Sequence, residues 1–137
     1  MRTDSRLTMT YHSKTKYHNK PVIYNGERFD SKKELNRWQD LKLLERAGRV
    51  CDLRRQVKYQ LIPAQREPDT IGKNGKPVKG KLLEREVCYI ADFDYYLEQP
   101  GQKPLHVIED TKGVRTADYI IKRKLMLYRY GERIKEL

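Results

Sequence analysis

The stretch CYIADFDYYLEQPGQKPLHVIEDTKG, residues 88–113, decides the fold that we predict for this chain. It contains two apolar-rich segments, 87–96 and 105–111, and a turn marked by Pro100-Gly101 separates them. Each segment has the length and composition of a β-strand, yet each carries an acid where a buried strand would normally have an aliphatic residue. We therefore expect two neighbouring strands that bring acidic side chains together.

The acids of these two segments have a spacing that is typical of a metal site. Side chains alternate between the faces of a strand, so Asp110 and Lys112 are expected on one face, and Glu109 and Thr111 on the other. With Asp92 on the preceding strand, the arrangement predicts two carboxylates that can hold a divalent cation, and a lysine beside them that can meet a phosphate.

Composition indicates a polyanionic partner. The chain has 137 residues, enough for one domain with a substantial core, and a formal net charge of +11 with 36% charged residues. Such an excess of lysine and arginine favours nucleic acid over other partners. No apolar run approaches membrane-spanning length, and Cys51 and Cys88 have neither zinc-ligand nor disulfide-framework spacing. We expect a cytoplasmic protein with reduced thiols and without a signal peptide.

We expect a basic arm over residues 1–20 and a single domain over residues 21–137. Asn25-Gly26 predicts a hairpin turn, and a helix is expected over 31–47 with Gly48 as its stop. A strand follows over 50–61. Residues 63–82 are rich in proline, glycine and lysine, and they predict a long flexible loop. Its lysines either contact a nucleic-acid backbone or are simply solvated.

The second half predicts a helix over 117–130, capped by Thr116 and ended by Gly131, and then a short strand over 133–137. Its expected buried stripe consists of Ala117, Ile121, Leu125 and Tyr128. The predicted fold class is α/β (α+β) with a mixed sheet, in the element order αβββαβ.

Glu34 has two interpretations. Ser31 and Glu34 have the spacing of a helix capping box, which by itself explains the acid. Glu34 also lies on one helical face with Trp38 and Leu41, at the edge of a buried stripe, and there it could be a third carboxylate of the metal site. Spacing alone favours the cap.

These motifs resemble the PD-(D/E)XK nuclease superfamily, in which an acid on one strand is followed on the next by an acid, any residue and a lysine. Nearly the whole chain is also similar to a phage- and prophage-encoded family of small nuclease-like proteins within it. The resembling segments are Lys16-Tyr17-His18-Asn19-Lys20, Arg28-Phe29-Asp30-Ser31-Lys32-Lys33-Glu34, Leu53 with Gln56, Tyr89-Ile90-Ala91-Asp92-Phe93, and Glu109-Asp110-Thr111-Lys112-Gly113 with Thr116, Tyr119, Lys122 and Lys124.

The resemblance implies a restriction-endonuclease-like core, in which helices flank a central mixed sheet, and a Mg²⁺- or Mn²⁺-dependent endonuclease that cuts DNA. The implied catalytic residues are Asp92, Asp110, Lys112, Glu34 and Gln56. The implied metal ligands are Asp92, Asp110, Glu34 and the carbonyl of Thr111. Expected contacts to DNA come from Arg115, Thr116, Lys122, Lys124, Lys73, Lys76 and Lys79. Lys124 lies on the apolar stripe, where its side chain could instead extend along the apolar surface with its ammonium group in water.

Two other interpretations stay open. One is a DNA-binding accessory protein that keeps the nuclease fold without cutting. The other is a nuclease that acts only within a phage replication, recombination or packaging assembly, in a bacterial host cell. Within the enzyme class, cutting of branched or junction DNA is favoured over sequence-specific restriction, because little chain is left to read base edges. Resolution of a junction would require a homodimer.

Overall fold

A computed structural model of the chain describes residues 20–137, so the predicted arm, apart from Lys20, lies outside the described residues. The chain divides into two compact units, with the boundary between Gln39 and Asp40. The single domain expected over 21–137 stays a prediction.

The first unit contains a hairpin whose turn is dictated by Asn25-Gly26. Strands β1 (Val22–Tyr24) and β2 (Glu27–Phe29) pair antiparallel, with Tyr24 opposite Glu27. Asn25 and Gly26 have φ values of 50° and 77°. Positive φ at both central positions is what a two-residue hairpin loop needs, and asparagine and glycine tolerate it best. The predicted hairpin is confirmed.

Helix α1 (Lys32–Arg46) has the predicted start and stop. At its start, the backbone N–H of Glu34 donates to Ser31 Oγ at 3.1 Å. At its end, Gly48 has a φ of 73°, the left-handed conformation that commonly ends helices. Leu41, in the half of the helix that belongs to the second unit, is fully buried.

In the second unit, strand β3 (Val50–Ile62) is followed by a segment that was predicted to be a loop and contains short strands instead. Residues 63–82 were expected to be a flexible loop, but they contribute four short strands, β4 (Gln65–Arg66), β5 (Thr70–Ile71), β6 (Pro77–Val78) and β7 (Leu82–Glu84). β4 pairs with β7 and β5 with β6, both antiparallel. We call residues 65–84 the ribbon arm. The proline and glycine content indicated the turns of this segment correctly, but strands of two or three residues are too short to show a periodic pattern.

The central sheet has four strands, and its order places the predicted site strands in the middle. After the ribbon arm come β8 (Val87–Leu97), β9 (Leu105–Asp110), helix α2 (Ala117–Tyr130) and β10 (Ile134–Glu136). The strand order is β10-β9-β8-β3; β3, β8 and β9 run antiparallel, and β10 is parallel to β9. The fold is mixed α/β with a central mixed sheet and two helices, and the long elements follow the predicted order.

The core lies between this sheet and α2, but the face of α2 that packs inward differs from the predicted stripe. The buried residues of α2 are Tyr119 and Met126, whereas Ile121 and Tyr128 of the predicted stripe are 57% and 89% exposed. Tyr119 is accommodated because its hydroxyl donates to Glu136 at 3.0 Å. The predicted stripe is therefore wrong for Ala117, Ile121 and Tyr128, whereas Leu125 is partly buried and packs against the core. The core cluster consists of Leu61, Tyr89, Ala91, Ile108, Tyr119, Met126 and Ile134.

The alternation expected along β8 is interrupted in the middle of the strand. Ile108 packs with Ala91 in the core, yet it lies opposite Asp94 in the strand register, and opposite residues share a face. The inward-facing positions therefore change from odd to even numbers between Ala91 and Asp94. Gln56, on the adjacent strand, has a φ of 52° at this level. Regular alternation therefore does not extend along the whole of β8.

The helices of the described part of the chain are too short or too polar to cross a membrane.

Candidate functional site

Asp92 lies in the middle of β8, is only 4% exposed, and is held by three donors. The backbone N–H and the hydroxyl of Thr111 both donate to its Oδ2 at 2.8 Å. The amide Nε2 of Gln56 approaches its Oδ1 at 3.4 Å. A carboxylate with several donors has a fixed orientation. The side chain of Asp92 is therefore preorganised.

Asp110 is the last residue of β9 and is also nearly fully buried, at 1% exposure. The Tyr89 hydroxyl donates to its Oδ2 and the Lys112 backbone N–H to its Oδ1, both at 2.8 Å. Burial raises the pKa of Asp110, and the negative charge of Asp92 adds to the rise, although the hydrogen bond from Lys112 opposes it. Burial also raises the pKa of Tyr89, which keeps its hydroxyl protonated as a donor.

Asp92 and Asp110 are neighbours at the end of the β8–β9 pairing. The last paired positions of the two strands are Phe93 and Glu109, the residues next to the two aspartates. Asp92 accepts hydrogen bonds from Thr111, the residue after Asp110, and its negative charge adds to the rise that burial causes in the pKa of Asp110. The structure therefore brings together the two acids that the sequence predicted as a pair.

Thr111 and Lys112 follow the end of β9 and no longer obey its alternation. Thr111 is buried and its side chain turns to Asp92, which makes it the main support of that carboxylate. Lys112 is exposed, and its ammonium group makes no ion pair with a described residue, while its charge favours the ionised form of Asp110. A lysine beside two buried carboxylates and open to solvent can meet an anionic ligand.

Glu34 belongs to the first unit and makes one of the two hydrogen bonds of the predicted capping box. Its N–H donates to Ser31 Oγ, and its own Oε2 accepts the backbone N–H of Asp30 at 3.1 Å. In the usual capping box this carboxylate would accept from the cap residue itself, so here the acceptor reaches one residue further back. Glu34 is 2% exposed. Its participation in a metal site stays a prediction, as does the catalytic role of Gln56.

The predicted DNA contacts near α2 have different environments. The guanidinium of Arg115 pairs with Glu136 at 2.5 Å, and Thr116 Oγ1 accepts the N–H of Tyr119 at 3.1 Å as the helix cap. Lys122 is partly buried, whereas Lys124 is exposed. Lys124 lies on the rim of a pocket of about 330 Å³ together with Arg123, Leu127, Glu132, Arg133 and Ile134. Arg115 and Thr116 thus have structural partners, and all four contacts to DNA stay predictions.

The lysines predicted in the loop lie instead on the ribbon arm. Lys73 and Lys76 flank the turn between β5 and β6, where Gly72 N–H donates to the Lys76 carbonyl at 2.8 Å. Lys79 follows β6, and all three side chains are exposed.

Sequence reasoning missed a second polar cluster, centred on Asp94. This carboxylate is fully buried and accepts hydrogen bonds from Arg54 Nη2 at 3.2 Å, from the Tyr59 hydroxyl, and from His106 Nε2 at 2.8 Å. His106 Nδ1 reaches Glu132 Oε1 at 2.9 Å. Nothing in the spacing of residues 94, 106 and 132 along the sequence indicated that their side chains meet.

Asp92 and Asp110 are the two predicted carboxylate ligands that lie in the second unit. Within residues 20–137, no group of three or more His, Cys, Asp or Glu side chains is arranged to hold a metal ion. Oxygen donors alone, without cysteine or histidine, match the preference of Mg²⁺ or Mn²⁺.

Comparison with known proteins gives a family but no named relative. No curated protein and no solved structure matches the chain. Residues 14–136 match the family model described as "Protein of unknown function (DUF1064)", which covers almost the whole sequence. The chain therefore belongs to the DUF1064 family.

Proposed function

We propose that this protein is a divalent-metal-dependent endonuclease that hydrolyses phosphodiester bonds in DNA. The single observation that carries the proposal is the pairing of two buried, donor-anchored carboxylates, Asp92 and Asp110, with the exposed Lys112 two residues further along the chain. A core of this size normally excludes unpaired acids, because a buried charge is costly without compensation. A cation bound between the two aspartates would supply that compensation.

The residues present fit a hard divalent cation. Asp92 and Asp110 would hold it, with the carbonyl of Thr111 and the carboxylate of Glu34 as further ligands that stay predictions. Each aspartate oxygen that accepts one hydrogen bond retains a lone pair, so the donors from Tyr89 and Lys112 do not block coordination. When bound, the metal would acidify a water molecule and offset charge on the scissile phosphate.

The protein's own groups prepare the site before the substrate arrives. Thr111 orients Asp92 through its N–H and its hydroxyl, and Tyr89 orients Asp110 through its phenol. The Lys112 ammonium supplies positive charge where negative charge develops on the phosphate, the kind of electrostatic contribution that accelerates phosphoryl chemistry most. The preference for branched or junction DNA remains a proposal that rests on the little chain left to read base edges, and the homodimer is what resolution of a junction would require. The role in phage replication, recombination or packaging remains a proposal that rests on the family resemblance.

A second candidate, a DNA-binding accessory protein that does not cut, is favoured by one observation. The net charge of +11 supports binding to DNA and requires no catalytic site. The two candidates differ in what Asp92 and Asp110 do. In the accessory protein the pair is structural, and its removal affects only stability.

The test is a cleavage assay with purified full-length protein on linear, nicked and branched DNA, with Mg²⁺, Mn²⁺ or EDTA. The wild type should cut at least one substrate with metal and none with EDTA. Asp92→Ala and Lys112→Ala should not cut. The exposed residues Asp40 and Lys103 provide matched controls, because Asp40→Ala and Lys103→Ala make the same chemical changes outside the site. Cleavage that survives in both site variants rules out the assignment, and DNA binding without cleavage under any metal favours the accessory protein.

A further inference from the structure

Four lysines of the ribbon arm are exposed. Lys73, Lys76, Lys79 and Lys81 point to solvent, and none of them forms an ion pair with a described residue. By contrast, Arg54 on β3 pairs with Asp94 at 3.2 Å, and Lys58 pairs with Glu86 at 2.7 Å. The arm therefore offers four ammonium groups to an anionic partner.

The ribbon arm is held together near its base by hydrogen bonds at Gly80. The N–H of Gly80 donates to Asp69 Oδ1 at 2.9 Å, and its carbonyl accepts from Arg66 Nη1 at 3.1 Å. A Cβ atom at Gly80 would lie 1.7 Å from the carbonyl oxygen of Glu67, far inside contact distance. Glu67 N–H is itself bonded to the Lys81 carbonyl at 2.9 Å. Glycine at this position allows the two chains of the arm to lie against each other.

The shape and composition of the arm distinguish between forms of nucleic acid. A two-stranded antiparallel ribbon is one of the two elements that the major groove of duplex DNA admits, the other being a helix. Proteins that bind single strands stack bases on aromatic side chains. Residues 63–86 contain no Phe, Tyr, Trp or His, although the whole chain has ten tyrosines. An arm that fits a groove and carries positive charge for phosphates, but has no aromatic side chains on which bases could stack, matches duplex DNA better than a single strand.

We infer that the ribbon arm is a duplex-DNA-binding element that lies along a groove and contacts phosphates with Lys73, Lys76 and Lys79. This inference rests on the proposed function to the extent that both take DNA as the partner. It adds the form of DNA that is bound and the segment that holds it. Because the strands are fixed at their base by Gly80, little conformational entropy is lost when the lysines meet phosphates.

The first test measures binding of full-length protein to a fluorescently labelled duplex by anisotropy, in EDTA so that no cleavage occurs. The variant Lys73→Gln/Lys76→Gln/Lys79→Gln is compared with Lys20→Gln/Lys32→Gln/Lys103→Gln, which removes the same charge from exposed lysines outside the arm. Each lost phosphate contact lowers the slope of log Kd against log salt by about 0.9. The arm variant should therefore lose about 2 to 3 from the slope, and the control less than about 1. Equal losses in the two variants would overturn the inference.

The second test uses Gly80→Ala and a single strand of the same sequence. The clash with Glu67 must open the base of the arm, so duplex affinity should fall by about tenfold or more while the thermal unfolding of the remaining core persists as a cooperative transition. Affinity for the single strand should change less than affinity for the duplex in both arm variants. Equal losses on the two DNA forms, or unchanged duplex affinity in Gly80→Ala, would contradict the inference.

Failure of this inference and failure of the proposed function give different results. If the arm binds duplex and no metal supports cleavage, the arm assignment stands and the endonuclease proposal fails. If cleavage depends on Asp92 but the arm variant binds like its control, the endonuclease proposal stands and the arm assignment fails.

Discussion

The substitution Thr111→Val removes one hydrogen bond from the candidate site and leaves the shape of the side chain nearly unchanged. Thr111 is 7% exposed, and its hydroxyl donates to Asp92 Oδ2 at 2.8 Å. The backbone N–H of the same residue donates to the same oxygen and is retained in the variant. The change therefore isolates the contribution of a single donor to a buried carboxylate.

The expected cost follows from the charge of the acceptor. A hydrogen bond to a charged group contributes about 1.5–3 kcal/mol, roughly twice as much as a neutral one. The valine methyl cannot donate, and with both residues buried, water cannot replace the lost donor. We therefore expect the free energy of unfolding to fall by about 1.5–3 kcal/mol at neutral pH.

The assay is urea unfolding of four proteins: the wild type, Thr111→Val, Asp92→Ala and the double variant. When Asp92 is absent the hydroxyl has no carboxylate to bind, so Thr111→Val should cost much less in that background, and the coupling energy should equal most of the single-variant effect. Thr70→Val at an exposed position of the ribbon arm is the matched control and should change stability by less than about 0.5 kcal/mol. Additive effects of the two site substitutions, within about 0.5 kcal/mol, would refute the reasoning that this bond anchors the carboxylate.

Three further predictions concern the support of the site. Burial lowers the pKa of His106, but its hydrogen bonds to Glu132 and Asp94 outweigh burial and raise the pKa overall. The stabilisation by protonated His106 is therefore complete below about pH 6.5 and is lost as the pH rises through the raised pKa. Across that pH range the urea midpoint of His106→Gln should fall less than the urea midpoint of the wild type. Met126→Ala, at a fully buried position, should reduce the free energy of unfolding by about 2–5 kcal/mol, and a loss below about 1 kcal/mol would contradict the described core. Thr116→Asp should preserve thermal stability, because aspartate also caps helices, and it should weaken DNA binding, because its negative charge repels the phosphate that Thr116 is proposed to face. Thr116→Ala should lower the free energy of unfolding by about 1 kcal/mol.

Local signals along the chain were enough to predict most elements of the fold. Asn25-Gly26 has a single favourable backbone geometry, and Ser31, Thr116, Gly48 and Gly131 mark helix ends through hydrogen bonds within a few residues. Such interactions depend on neighbours in the sequence, so the sequence reveals them. The pairing of Asp92 with Asp110 was also predictable, because two adjacent strands joined by a short turn are neighbours in most sheets.

Long-range polar contacts could not be predicted in the same way. The inward face of α2 depends on Tyr119, whose hydroxyl is satisfied by Glu136 on β10, and the cluster at Asp94 depends on His106 and Glu132 from distant segments. The break in alternation near Asp92 arises inside the sheet and has no counterpart in the apolar pattern. Polar groups become acceptable in a core through partners that only the folded chain supplies.

The proposed catalytic roles of Asp92 and Lys112 are tested most directly by the single-turnover rate of DNA cleavage with saturating Mg²⁺. Loss of one electrostatic group at a transition state typically lowers such rates by about 10²–10³-fold. We expect Asp92→Ala and Lys112→Ala to lose at least about 100-fold relative to the wild type while duplex binding in EDTA is retained. Rates of both variants within about threefold of the wild type would contradict the central claim.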